Sequence, residues 1–212
     1  MLTLHAADGS PETAVLVDGA RIAAVGPYED LAADLPQALD SGRAGGTPMA
    51  ARLRRWPGIL LPGLLNPYAP ELLERTYHPD PREADAYGTA PITGERAAEL
   101  FRADPARLGA SARRGVQRML AHGTVAVAGE LRSRAAQDAV RRAGLATGQR
   151  PPNLPGPPSL SPTPLILLPR LTPGAPARFA VFDVPDTAAL VHRGASTCVA
   201  TVIDGRLVYR SR

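Results

Sequence analysis

The chain contains no lysine: its 24 basic residues are all arginine, set against 20 acidic ones for a formal net charge of +4. A phosphate-cradling loop that ends in Gly-Lys-Ser/Thr is therefore excluded, and the glycine-rich stretch Ser41-Gly42-Arg43-Ala44-Gly45-Gly46-Thr47 reads as a flexible connection. Aromatic residues make up only 4% of the chain and do not interleave with the small arginine groups at 52, 54 and 55, at 113 and 114, and at 141 and 142. A base-stacking nucleic-acid surface is not expected, and these arginines read as solvated helix faces and helix caps. The single cysteine, Cys198, excludes an internal disulfide and cannot by itself form a cysteine-based zinc site. Its β-like surroundings, Thr197 to Val202, make it a buried thiol. No apolar run approaches the ~20 residues of a membrane span. Met1 to Asp8 has neither a basic start nor a long apolar core, so no signal peptide is read and a cytoplasmic location is expected. At 212 residues the chain falls short of the ~250 of a complete (β/α)8 barrel, and a barrel plus a second domain does not fit.

Two Asp-Gly steps organise what is present. Ala14 to Gly26 holds two short apolar runs joined by Asp18-Gly19, and Cys198 to Tyr209 holds two more joined by Asp204-Gly205; both read as β-hairpins. Pro27 to Leu35 is a loop with a short helical turn, Ala50 to Arg55 a strand, and Glu71 to Arg75 a short helix. Breakers crowd Tyr77-His78-Pro79-Asp80-Pro81 and Tyr87 to Pro91, which predicts a long loop. Helices follow over Thr93 to Arg102, Pro105 to Ala121 and Ser133 to Ala143. In the second of these Leu108, Ala112, Val116, Met119 and Leu120 repeat at helical spacing, and His122-Gly123 stops it. Thr124 to Gly129 is a buried strand, so this region has the grammar of a parallel α/β unit. From Thr147 to Pro176 ten prolines favour an extended, poorly ordered linker, with Leu165 to Leu168 as a candidate edge strand. Arg178 to Val184 is a strand and Asp186 to His192 a short helix.

Few side chains are spaced for chemistry. His5, His78, His122 and His192 share no metal-ligand spacing. His122 reads as a helix C-terminal residue favoured by the macrodipole, and His192 lies in a comparable place. Neither Ser111 nor Ser196 lies in a Gly-x-Ser-x-Gly elbow.

One stretch carries a resemblance. Arg54-Arg55-Trp56-Pro57-Gly58-Ile59-Leu60-Leu61 followed by Pro62-Gly63-Leu64-Leu65-Asn66-Pro67-Tyr68-Ala69-Pro70 resembles the segment where amidohydrolase-superfamily enzymes begin their barrel, Pro-Gly-(apolar)-(apolar)-Asp-x-His-x-His. Here Asn66 stands at the aspartate position, and Tyr68 and Pro70 stand where the two metal-binding histidines would be. Val17 to Gly26, with Pro173 to Asp183 and Thr201 to Val208, resembles the two ends of the superfamily's composite β domain, with Arg178 where an aspartate is usual. Leu120 to Val127 resembles the second barrel unit. The likeness is to the imidazolonepropionase-like and aminodeoxyfutalosine-deaminase-like branch, and it covers roughly residues 12 to 145 and 171 to 210. The further histidines, the lysine or glutamate and the water-activating aspartate of the family have no counterpart.

The resemblance implies an α/β (α+β mix) fold: a small composite β-sandwich domain from both chain ends (1–60 and 171–212), a truncated TIM-barrel-like β/α portion (61–146) and a Pro-rich linker (147–170). The two chain ends are expected to share a sheet, and two parallel barrel strands are expected to lack neighbours, leaving an edge for something to cover. Two functional readings stay open. In the first, the protein is degenerate, has no metal or other cofactor, and serves in binding or assembly. In the second, it is a hydrolase of non-peptide carbon–nitrogen bonds, a cyclic amidase or deaminase using zinc or iron at a remodelled site. Candidate catalytic residues for that site are His78, Asp80 and Glu71, with Asn66 and Tyr68 as candidate binding residues. The partner expected is a small molecule, a protein or a second copy of the chain, and neither nucleic acid nor membrane.

Overall fold

The computed structural model describes residues 2–33, 35, 51–154 and 156–211, so the glycine-rich connection at 41–47 lies outside the described residues. The N-terminal part comprises β1 (Leu2–Ala7), β2 (Ala14–Asp18), β3 (Arg21–Gly26), α1 (Tyr28–Ala33), β4 (Arg52–Trp56) and β5 (Ile59–Leu61). The middle comprises β6 (Leu64–Asn66), α2 (Ala69–Glu74), α3 (Ala84–Tyr87), α4 (Gly94–Ala103), α5 (Arg107–Leu120), β7 (Thr124–Ala128), α6 (Arg134–Ala143), β8 (Ala146–Gly148) and β9 (Ile166–Leu167). β10 (Phe179–Phe182), α7 (Thr187–Arg193), β11 (Cys198–Ile203) and β12 (Arg206–Arg210) complete the described fold.

These strands make three four-stranded sheets, ordered β3-β2-β1-β4, β12-β11-β10-β5 and β8-β7-β6-β9. The first two face each other as a sandwich. Alternation along the strands sends Val15, Val17, Ile22 and Trp56 from the first sheet and Leu60, Phe179, Val181, Ala200 and Val202 from the second into one core. The two chain ends do share a sheet, through β5 and β10, but the two Asp-Gly hairpins themselves lie in opposite sheets. A hairpin turn fixes the pairing of its own strands and says nothing of what their faces meet. The N-terminal part contributes β5 to the second sheet, where it pairs antiparallel with β10 through Leu61↔Ala180 and Ile59↔Phe182.

The two turns nevertheless meet. Ala177 N–H donates to the Ala20 carbonyl at 2.8 Å, and Gly205 N–H donates to the Ala177 carbonyl at 3.1 Å. Gly205 has φ +73, and a Cβ built on it would lie 1.8 Å from the Gly19 carbonyl oxygen, so only glycine admits this approach. Arg178, at the family's aspartate position, forks onto Asp204 at 2.9 and 3.2 Å and so braces the second turn.

The second sheet is buried on both faces. Its outer side packs Ala180 and Phe182 against Leu64, Val184 and Leu190. Thr201 Oγ1 donates to the Leu120 carbonyl at 2.7 Å and ties this sheet to the end of α5. α2, α5 and α6 pack Leu73, Val116, Met119 and Val140 against Val125 and Val127 of the third sheet. In that sheet β6, β7 and β8 run parallel and β9 is antiparallel to β6. The sheet does not close into a barrel. The expected pair of neighbourless strands is corrected, since β8 flanks β7 and the candidate edge strand, present as β9, flanks β6.

Candidate functional site

β6, the strand whose sequence resembles the superfamily's ligand strand, delivers Asn66 and the residues after it to one end of the third sheet. Asn66 is 1% exposed; its Oδ1 accepts from Tyr68 N–H at 3.0 Å and its Nδ2 donates to the Ser159 carbonyl at 2.9 Å. The Tyr68 ring is buried in the core, and its hydroxyl donates to the Gly156 carbonyl at 3.0 Å. Pro70 lies in the first turn of α2, where its missing N–H leaves no hydrogen bond unmade. At the three positions where the family's strand has its aspartate and two histidines, this chain therefore has an amide bonded on both sides, a phenol bonded to backbone and a ring without a donor atom.

Both outward bonds end on the proline-rich segment. Expected to be a poorly ordered linker, it lies instead across the end of β6. Leu154, Leu160 and Leu168 pack on the core beneath it, and Ser161 Oγ accepts from Ala195 N–H at 2.9 Å. Proline removes backbone donors and leaves every carbonyl, so such a segment can be held by side chains that donate to it. Glu71 on α2 adds a latch: its Oε1 pairs with Arg150 at 2.8 Å, while its Oε2 is buried without a partner. Arg150 in turn lies over the Tyr68 ring, 5.8 Å from its centroid.

His78 and Asp80 are held by α5. His78 is fully buried; its Nε2 lies 2.8 Å from the Leu72 carbonyl, which makes Nε2 the protonated nitrogen and leaves Nδ1 without a partner. Burial, with lesser contributions from Arg118 and Arg114 and opposed by the Leu72 bond, pulls its pKa down to about 4. Its N–H donates to Ser111 Oγ at 2.9 Å, and its carbonyl accepts from Arg114 Nε at 2.7 Å. Asp80 pairs with Arg114 at 3.2 Å and caps the short 3-10 helix at 81–83, accepting from Arg82 N–H at 3.0 Å. These contacts fasten the long loop to α5.

Of the remaining histidines, His5 and His122 also have partners. His5 accepts from Trp56 Nε1 at 3.3 Å in the sandwich core, and burial, then Arg54, drives its pKa down to about 3. His122 Nδ1 lies 2.7 Å from the Arg118 carbonyl at the end of α5, as its helix-terminal position implied, and His192 lies in the last turn of α7. Burial pushes the Cys198 thiol up to about 11, which suits an inert core residue. Among the described residues no three His, Cys, Asp or Glu side chains gather in a group that could hold a metal ion. Asn66, Tyr68 and Pro70, committed as they are, do not fit the metal centre that the family likeness implies.

The residues that sequence reasoning missed are the acceptors at Gly156 and Ser159 and the latch residue Arg150. The signal available for them was the recurrence of leucine at 154, 160, 165 and 168 among the prolines. Among the described residues no helix is long and apolar enough to cross a membrane.

Residues 14–38, which include the hairpin of β2 and β3, match the family model of the imidazolonepropionase-like composite domain, bacteria. No curated protein matches the chain. Solved structures that align with it include ochratoxinase from A. niger and N-isopropylammelide isopropylaminohydrolase from Burkholderia multivorans ATCC 17616. Each is 18% identical over 70% of this chain, with TM-scores of 0.38 and 0.40. The alignments cover 31% and 37% of those chains, so this chain spans about a third of their length.

Proposed function

We propose, for a chain that resembles the imidazolonepropionase-like composite domain of amidohydrolases over residues 14–38, that it is an amidohydrolase-like protein without metal-dependent hydrolysis, serving in binding or assembly. In this reading the third sheet is what remains of a truncated barrel, and the proline-rich segment has taken the place of substrate. One arrangement carries the reading: Asn66 and Tyr68, at the altered ligand positions, are both hydrogen-bonded to backbone carbonyls of that segment. A strand end that is filled and bonded by its own chain has no open coordination position and no room for a scissile amide. The binding partner in this reading is a small molecule, a protein or a second copy of the chain, in the cytoplasm.

The competing reading, an active hydrolase of non-peptide carbon–nitrogen bonds, draws on two buried atoms without partners, Glu71 Oε2 and His78 Nδ1. Metal content separates the two. Purified protein is expected to carry well under one equivalent of zinc, iron or nickel, and added zinc is expected to leave its melting temperature unchanged, because a specific native-state ligand would raise it by mass action. Tyr68→His with Pro70→His is expected to restore no turnover of a cyclic amide or aminopurine. Stoichiometric metal, lost in His78→Ala together with such turnover, would overturn the proposal.

A further inference from the structure

The strongest unexplained feature lies at the open side of the sandwich, away from the altered ligand strand. β4 pairs in parallel with β1, with Arg54 opposite His5 and Trp56 opposite Ala7. Strand alternation places Arg52, Arg54 and Trp56 on one face, and Trp56 is part of the sandwich core. From the opposite sheet, Arg210 at the end of β12 reaches across, its guanidinium 5.7 Å from the Trp56 ring centroid. Together with Leu53 and Arg55 these residues line a groove of about 230 Å³. Arg55 lies over Tyr28 at 4.5 Å; Arg52, Arg54 and Arg210, the last with its own ring contact to Trp56, are the groove's remaining cations.

Among the described residues no acidic side chain lines the groove, and none of their ion pairs engages these three arginines. Burial lowers the pKa of Arg54, and Arg52 and Arg210 lower it further, the mark of like charges crowded together. Such crowding costs stability unless an anion relieves it. Guanidinium groups are the side chains best matched to phosphate oxygens, through paired N–H donors in a fixed fork. The groove is smaller than the ~300–1,000 Å³ of a pocket that swallows a whole small-molecule ligand, so it suits an anionic group with the rest of the molecule outside.

We propose that the groove formed by Arg52, Arg54 and Arg210 over Trp56 is a binding site for the phosphoryl group of a small phosphorylated molecule. The site stands whether or not the ligand strand has lost its chemistry, since it uses none of the same residues. Pyrophosphate is the probe, read by thermal unfolding and by titration calorimetry. At about ten times its dissociation constant it is expected to raise the melting temperature by about 3–6 °C beyond sodium chloride of equal ionic strength. Arg54→Gln and Arg210→Gln are each expected to lose most of that rise. Without ligand they should melt at or above the wild-type temperature, because each relieves repulsion, whereas a purely structural arginine would lower it. Arg142→Gln, at the end of α6, is expected to keep the full response. An equal rise with sodium chloride, or variants that keep the pyrophosphate effect, would overturn the site. A short single-stranded oligonucleotide that stabilises more than pyrophosphate at equal phosphate concentration would overturn the assignment to a small ligand.

Discussion

Removing one oxygen tests whether the proline-rich segment is held down by the altered ligand strand. Tyr68→Phe keeps the buried ring and deletes the hydroxyl that donates to the Gly156 carbonyl at 3.0 Å. A net intramolecular hydrogen bond contributes about 0.5–1.5 kcal/mol, so local opening of the segment should become easier by about 1 kcal/mol, roughly fivefold in population. Asn66→Ala should act differently. It deletes the bond to Ser159, worth a similar amount to the segment, and also leaves the buried Tyr68 N–H without its acceptor, at about 1–3 kcal/mol of global stability. Tyr68→Phe should therefore loosen the segment with little change in the urea midpoint, and Asn66→Ala should move both. Native-state proteolysis with subtilisin reads segment opening when closing is faster than cleavage, and mass spectrometry locates the cut within 151–165. If Tyr68→Phe leaves cleavage there unchanged, or if the first cuts in both variants fall in α4 or α5, the segment is held by something other than these two bonds. The proposed filling of the strand end would then lose its support.

Two further outcomes follow from other parts of the molecule. Gly205→Ala combines a left-handed backbone with a Cβ driven to 1.8 Å from the Gly19 carbonyl and should cost about 2–4 kcal/mol, whereas Gly19→Ala, whose Cβ meets nothing, should cost only about 1–2 kcal/mol for the backbone conformation. Urea denaturation of the two variants checks this, and the reverse order would mean that the two turns do not meet. His5 and His78, with folded pKa values of about 3 and about 4 against an ordinary 6.5, are neutral in the native state, so their contribution is complete above pH 6.5 and is lost as the unfolded chain takes up protons below it. Stability should fall by on the order of 2–4 kcal/mol between pH 7 and pH 5, and His78→Gln should reduce the slope there by about one proton; an unchanged slope would refute the buried neutral state.

How much was legible in the sequence varied with the kind of signal. The hairpins at Asp18-Gly19 and Asp204-Gly205, and the helices α5 and α6, have local signatures and lie where those signatures put them. β1 has five of its six residues buried, and β5 and β8 are three residues long, so none offers the alternation that marks a strand. The division of the hairpins between two sheets depends on which faces meet, and local turn chemistry does not encode that. At the site, Asn66, Tyr68 and Pro70 stood out because the Pro-Gly framework around them resembles the superfamily's strand entry. Their engagement with Gly156 and Ser159 was not, because carbonyl acceptors have no sequence signature and every residue has one. His78 looked like a loop residue because Pro79 and Pro81 follow it, and its burial depends on Ser111 and Arg114 more than 30 positions away.

The step from β5 to β6 has a consequence during synthesis. Only Pro62 and Gly63 separate the strand that borders β10 from the strand that anchors the third sheet. When Leu61 leaves the ribosome its antiparallel partner is still more than a hundred codons away, an interval on the order of ten seconds. Until β10 arrives, Leu60 and Trp56 have no opposite wall, and the apolar lining of the first sheet faces solvent or a chaperone. The third sheet has to wait as well, because Leu64 is buried against Ala180 and Phe182. Folding of this chain is therefore expected to be late and concerted, with the final hairpin as the piece that commits both halves at once.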